Sequence, residues 1–271
     1  MRFLSALLGV LVLAGCGGGD DDDRPTVAAG LYPLAWASAQ VAGDAFRVVD
    51  LTPSGAEPHD VELSARDVEA ILDADLVVYG GGGFQPAVED ALDRRDGPSL
   101  DVLDGEADPH VWLDPLRFAR IAREIGDELG RTEAGGRLAR TLEMLDREYR
   151  EGLERCERRA VVTTHAAFGR LATRYGLTQV SLAGRSPEAE PTPRDLERLV
   201  DGARASGATT VFTEPLVSDR LARTVAREAG LAVAVLDPVE GLSDARREAG
   251  GDYLTIMRDN LKALRTALGC R

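Results

Sequence analysis

Lysine is almost absent: Lys262 stands alone against 31 arginines, in a chain whose formal charge is −14. That negative balance argues against nucleic acid or a polybasic membrane contact and mildly favours a cationic ligand. Beyond the first fourteen residues no apolar run is long enough to cross a bilayer, so an anchor at more than one end is excluded. Histidine is scarce, with His59, His110 and His165 the only three in 271 residues. Cysteine also occurs three times, at Cys16, Cys156 and Cys270.

The chain opens with Met1-Arg2 and an apolar run from Phe3 to Ala14, ending Leu13-Ala14-Gly15-Cys16. One positive charge followed by about a dozen apolar residues is the pattern of a secretory signal, too short for a transmembrane helix. The final four residues look like a bacterial lipobox, in which the cysteine becomes the lipid-modified N-terminus. Residues 1–15 are therefore read as a signal peptide, Cys16 as the lipidation site and 16–25 as a flexible tether. The glycines and the acidic run Asp20 to Asp23 in that tether cannot bury apolar surface. Loss of Arg2 with the leader takes the formal charge from −14 to −15. The expected location is extracytoplasmic, lipid-anchored to a bacterial cell membrane. There a disulfide between Cys156 and Cys270 is chemically allowed, although sequence alone leaves its geometry open.

The remainder reads as two α/β halves around a helical middle. β-rich runs at Val27 to Leu31, Phe46 to Leu51, Leu76 to Tyr79 and Leu100 to Leu103 alternate with helical patterns. Among the latter is Ser64 to Leu72, with Ser64 and Asp67 at capping-box spacing. The alternation resumes at Ala160 to Thr164, Gln179 to Leu182, Thr209 to Thr213 and Leu231 to Leu236, and closes in a helix from Tyr253 to Leu268. Such alternation implies βαβ units and mainly parallel sheets. Between the halves, Leu138, Leu142, Leu145, Tyr149 and Leu153 form the apolar stripe of a long helix. Gly135-Gly136 is expected to separate it from the helix carrying Phe118, Ile121, Ile125 and Leu129. The predicted fold class is α/β: two similar lobes with mainly parallel sheets, joined by one long linker helix, with a cleft between them. The expected boundaries are 26–132 for the first lobe, 133–158 for the linker and 159–271 for the second lobe. A helical connector is stiffer than strand crossovers, so limited lobe closure is expected.

All three histidines follow strand runs, as do two carboxylates, Glu214 and Asp237. In open parallel sheets ligands bind just beyond the carboxyl ends of the strands. Neutral imidazole suits a borderline metal such as zinc, and a carboxylate oxygen completes a four-coordinate shell. Each residue also has a plainer reading. A lone histidine at a strand end can be a hydrogen-bonding loop residue, while Glu214 before Pro215 and Asp237 before Pro238 can each start a turn. The candidate ligands are 51, 55 and 72 residues apart and share no local motif, so spacing alone leaves both readings open.

Longer segments are more specific. They are Leu31-Tyr-Pro-Leu-Ala-Trp36, Gly55-Ala-Glu-Pro-His-Asp60, Asp75 to Tyr79 with Gly83-Phe84, and Asp108-Pro-His-Val-Trp-Leu-Asp-Pro115. They continue with Thr164-His-Ala-Ala-Phe168, Ser186-Pro-Glu-Ala-Glu-Pro191, Phe212-Thr-Glu-Pro215 and Leu236-Asp-Pro238. In these segments and their order the chain resembles the metal-binding solute-receptor lipoproteins of zinc/manganese ABC importers, the cluster A-I type. The resemblance implies His59, His110, His165 and Asp237 as metal ligands and Glu214 as a supporting residue beside them. It implies a receptor, not an enzyme, that captures Zn²⁺ (Mn²⁺ as the alternative) as transported cargo. The implied partners are a membrane permease and its cytosolic ATPase, with the receptor acting as a monomer. Manganese-type members often carry glutamate where this chain has His165, so histidine there leans toward zinc. Many zinc receptors also have a histidine-rich loop between the first two ligands, whereas residues 80–109 here contain no histidine.

Two other functional readings compete. An extracellular zinc hydrolase would place three histidines on the metal and use Glu214 as general base, but needs an open, water-filled coordination position. A metal-binding surface adhesin could use the same fold. Gly80 to Gly83 lacks the Gly-Lys-Ser/Thr of a phosphate loop and the full dinucleotide spacing, so these glycines are read as packing residues. Thr163-Thr164-His165 is no nucleophile elbow, and Trp36 and Trp112 are read as local packing.

Overall fold

The computed structural model describes residues 23–56, 62–182 and 192–271. His59, Cys16 and the Ser186 to Pro191 segment fall outside them. Each lobe holds a four-stranded, wholly parallel sheet. In the first, β1 (Thr26–Ala29) lies between β2 (Arg47–Asp50) and β3 (Leu76–Tyr79), with β4 (Ser99–Asp101) outside β3. In the second, β5 (Ala160–Thr163) lies between β6 (Thr178–Ser181) and β7 (Thr210–Thr213), with β8 (Ala232–Val235) outside β7. The two orders are equivalent, so one topology is used twice. Val27 sits opposite Val48 and Leu76, and Val162 opposite Val180 and Val211. Strands buried on both faces read as near-continuous apolar runs, as β1, β3 and β5 do.

The first sheet is flanked by α1 (Tyr32–Ala42), α2 (Ala65–Leu72) and α3 (Pro86–Leu92). In α2 the expected capping box forms: Ser64 Oγ accepts from Asp67 N, and Asp67 accepts from Ser64 N. Next come α4 (Pro115–Glu128) and α5 (Thr132–Leu153), packed along each other. The expected break at Gly135-Gly136 is corrected by the structure, since both glycines lie inside α5. The turn instead falls at Gly130, whose φ of 62° is the left-handed conformation glycine adopts freely. Gly135 has a different task. A Cβ there would stand 2.6 Å from the Ala122 carbonyl oxygen and 3.0 Å from Gly126 Cα, so the missing side chain lets α4 and α5 touch.

The second lobe adds α6 (Gly169–Arg174), α7 (Pro193–Ala205), α8 (Arg220–Ala229), α9 (Asp244–Glu248) and α10 (Tyr253–Leu268). α10 packs against α5, and Tyr149 Oη donates to the Met257 carbonyl at 2.6 Å. A single apolar cluster runs from Val27 and Phe118 through Leu142 and Tyr149 to Val161 and Met257, so the two lobes share a core. Cys156 and Cys270 are disulfide-bonded, joining the segment after α5 to the residue just past the Gly269 cap of α10. Among the described residues no helix is long and apolar enough to cross a membrane.

Candidate metal centre

In each sheet chain order reverses beside the first strand, which opens a crevice at the carboxyl ends. In the first lobe this crevice is plugged. Gln85 is buried, donates from Nε2 to the Gly30 carbonyl after β1 at 2.8 Å, and accepts from Gly80 N after β3 at 3.3 Å. In the second lobe it is furnished with chemistry: His165 follows β5 and Glu214 follows β7. Glu214 Oε2 lies 2.6 Å from His165 Nδ1, and its Oε1 accepts from His165 N at 3.3 Å and from the Thr164 hydroxyl. The His165 carbonyl accepts from Thr163 Oγ1 and from Gln179 Nε2 on β6. Backbone and ring are thus both held, with Nε2 facing the first lobe.

From that lobe comes His110, in the turn between β4 and α4. Asp108 Oδ1 accepts from His110 N at 3.2 Å and stands 2.8 Å from His110 Nδ1, which leaves Nε2 as the atom facing the second lobe. The two imidazoles meet edge to face with centroids 5.7 Å apart. Between them stands Glu240, whose Oε1 is 2.9 Å from His110 Nε2 and 3.6 Å from His165 Nε2. One donor atom from each of His110, His165 and Glu240 lies within 4.8 Å of the others. Both histidines are 0% exposed and Glu240 is 2% exposed. A buried trio of two imidazoles and a carboxylate matches the donor set of a zinc site.

Electrostatics bind this group together. Burial pulls the His165 pKa down, but hydrogen bonds and charge from Glu214 and Glu240 outweigh it and raise it from 6.5 to about 10. His110 is likewise raised: burial opposes the charged ring, while Asp108 and Glu240 favour it more strongly. Burial pushes the Asp108 carboxyl up, but contact with His110 and the nearby Arg170 holds it below the ordinary value.

Of the sequence-predicted residues, then, the structure brings His110 and His165 together with Glu214 against His165, and leaves Asp237 out of the trio. Asp237 Oδ1 accepts from Val239 N at 2.8 Å, and its backbone is gripped twice by Asn260 of α10, at 2.9 and 2.7 Å. Its side chain lines a separate cavity of about 400 Å³ with Pro215, Arg246 and Asn260. Burial raises its pKa from 3.8 to about 6, against the hydrogen bond from Val239. The turn it begins is further fixed by Trp112 Nε1, which donates across the lobes to the Pro238 carbonyl at 2.8 Å. Val239 then adopts a φ of 59°, and Glu240 turns inward. Glu240 was missed because the strand-end rule stops at the first carboxylate, Asp237, and the extra three residues depend on this tight turn. Asp108 could have been noticed two residues before His110.

Fold and site together define a bilobed solute-binding protein with a candidate metal centre between its lobes. The family described as zinc-uptake complex component A, periplasmic, matches residues 27–267, and the chain belongs to it. That family is an extracytoplasmic, metal-binding transport component, not an enzyme. The zinc-binding lipoprotein AdcA of Streptococcus pneumoniae is 33% identical over 301 residues, an alignment covering 98% of this chain and 60% of AdcA. The chain thus spans less than two thirds of that relative. The Zn(II)-bound ZnuA-like domain of the same AdcA is similar with a TM-score of 0.76 at 34% identity, over 90% of this chain and 99% of that domain. The laminin-binding protein Lmb of Streptococcus agalactiae, described as having adhesin and metal transporting activity, gives a TM-score of 0.80 at 30% identity, over 90% of this chain and 99% of Lmb.

Proposed function

We propose that this chain is an extracytoplasmic receptor that captures Zn²⁺ between its lobes and delivers it to the permease of an ABC importer driven by a cytosolic ATPase. The observation that carries the reading is the buried trio His110, His165 and Glu240, contributed by both lobes. His59, in the segment following Ala56, is the fourth ligand in this reading, and Glu240 takes the role that the family resemblance implies for Asp237. Glu214 and Asp108 orient the two imidazoles, as carboxylates commonly do for metal-ligating histidines. Three imidazoles favour zinc over manganese, which prefers oxygen-rich sites. A hydrolase would require an open position with bound water, and a trio this deeply buried weighs against it. Cys16 carries the lipid that holds the receptor at the membrane.

Metal analysis of protein purified without added metal, followed by calorimetric titration with Zn²⁺ and Mn²⁺, tests the reading. One zinc per chain, bound more tightly than manganese and lost in His110→Ala and His165→Ala, is expected. Absence of zinc binding, or undiminished binding in both variants, would overturn it.

A further inference from the structure

The segment that carries His165 also holds the loop that carries His110, through Arg170 and, one turn further along α6, through Arg174 on Asp114. Five residues after His165, Arg170 projects from α6 into the first lobe. Its Nε and Nη2 both donate to the Asp108 carbonyl oxygen, at 3.0 and 2.8 Å. Nη2 also contacts the Glu106 carboxylate, whose other oxygen accepts from Arg117 Nε at 2.8 Å. Arg117 in turn donates to the Val102 carbonyl at 2.8 Å, so Glu106 is itself anchored to the first lobe. Close by, a Cβ on Gly169 would stand 3.3 Å from Asp108 Oδ2, which shows how near α6 approaches this loop. The route from Arg170 to the site is short. Arg170 fixes the Asp108 carbonyl, and the Asp108 carboxylate fixes the His110 ring through Nδ1.

We propose that Arg170 is a positioning residue that sets the spacing of His110 and His165, and thereby how tightly and how long the metal is held. This rests on the metal-receptor reading above. The chemistry is specific to arginine. A planar guanidinium can place N–H groups of two nitrogens on one carbonyl while the second N–H of one of them meets a carboxylate, whereas a lysine ammonium is a compact point charge on a flexible stem. An ordinary surface ion pair would contribute little and would tolerate lysine. A ruler between two ligands would not.

The test uses the full chain with Arg170→Lys and Arg170→Gln beside the native protein and His110→Ala. Zn²⁺ affinity is measured by competition with a chromophoric chelator, and release by stopped-flow. Visible absorption of the Co²⁺ form reads coordination geometry, and melting of the metal-free protein reads structure. Both Arg170 variants should bind Zn²⁺ about 10-fold more weakly or worse, the loss typical of an orienting partner, with faster release and a shifted Co²⁺ band. The metal-free melting temperature should fall by no more than about 4 °C. Affinity and Co²⁺ spectrum unchanged in Arg170→Lys would overturn the proposal, as would an affinity loss with an unaltered spectrum and a larger melting shift. If His110→Ala abolishes binding while both Arg170 variants keep it, this inference fails and the receptor reading survives. If the native protein binds no zinc, both fall.

Discussion

His110 Nε2 stands 2.9 Å from Glu240 Oε1 across the seam between the lobes. A histidine from the loop after the first sheet and a carboxylate from beyond the last strand of the second thus share one buried point, and their pairing separates two assignments of the carboxylate ligand. Glu240→Gln keeps the shape but removes the anionic donor. It should weaken Zn²⁺ binding by more than about 100-fold, beyond the usual loss for an orienting partner. Asp237→Asn keeps an oxygen to accept from Val239 N and should change affinity by less than about 10-fold. Competition titration of the two variants decides between them, and the reverse order would restore Asp237 as the ligand.

The raised histidines set the pH dependence. His165 has its pKa lifted from 6.5 to about 10 in the folded, metal-free protein. Because the folded value is the higher one, its stabilising contribution is complete below about 6.5 and is lost as pH rises through about 10. Zn²⁺ competes for the same nitrogen, so apparent affinity should rise across that window. At pH 7.5 binding should release one or more protons, since His165 and His110 are both shifted upward. Calorimetry in buffers of different ionisation enthalpy measures this directly, and a buffer-independent heat would show that no proton leaves.

Much of this architecture was legible in the chain. Of the eight β-rich runs, the inner strands β1, β3, β5 and β7 were legible because parallel strands buried on both faces read as apolar runs, and α2 announced itself through Ser64 and Asp67. His110 and His165 were legible as strand-end histidines. What escaped depended on packing that no local pattern encodes. Gly135 looks like a helix breaker until α4 lies against it, and Glu240 looks like a loop carboxylate until Asn260, Trp112 and Val239 turn it inward. Arg170 is one of many arginines until its fork is seen on the Asp108 carbonyl.

Val239 invites a direct measurement of that turn. It is fully buried and β-branched, yet its φ is 59°. Such a conformation costs about 1–3 kcal/mol for a residue with a Cβ and persists only where neighbours enforce it. Val239→Ala keeps the strained Cβ, whereas Val239→Gly gives up that one further buried carbon but escapes the strain. Glycine should therefore be the more stable of the two by about 1 kcal/mol, inverting the order found within helices and strands. Chemical denaturation of both variants provides the comparison, and alanine as the more stable variant would mean that no strain is stored there.

The disulfide should affect stability without touching the site. Cys156 and Cys270 enclose a separation of 114 residues, and Cys156 precedes β5 while His165 follows it. The link therefore lies at the amino end of the second sheet, opposite the carboxyl edge where the trio gathers. Closing so long a loop removes entropy mainly from the unfolded chain, and loss of a native disulfide typically costs about 2–5 kcal/mol. Cys156→Ser with Cys270→Ser should lower the denaturation midpoint of the metal-free protein accordingly. Under conditions where the double variant remains folded, Zn²⁺ affinity should stay within about 3-fold of native, a difference of under about 1 kcal/mol. A larger affinity loss in folded protein would mean that the α5–α10 junction reaches the metal centre through the shared core, and that the two ends of the second lobe are energetically coupled.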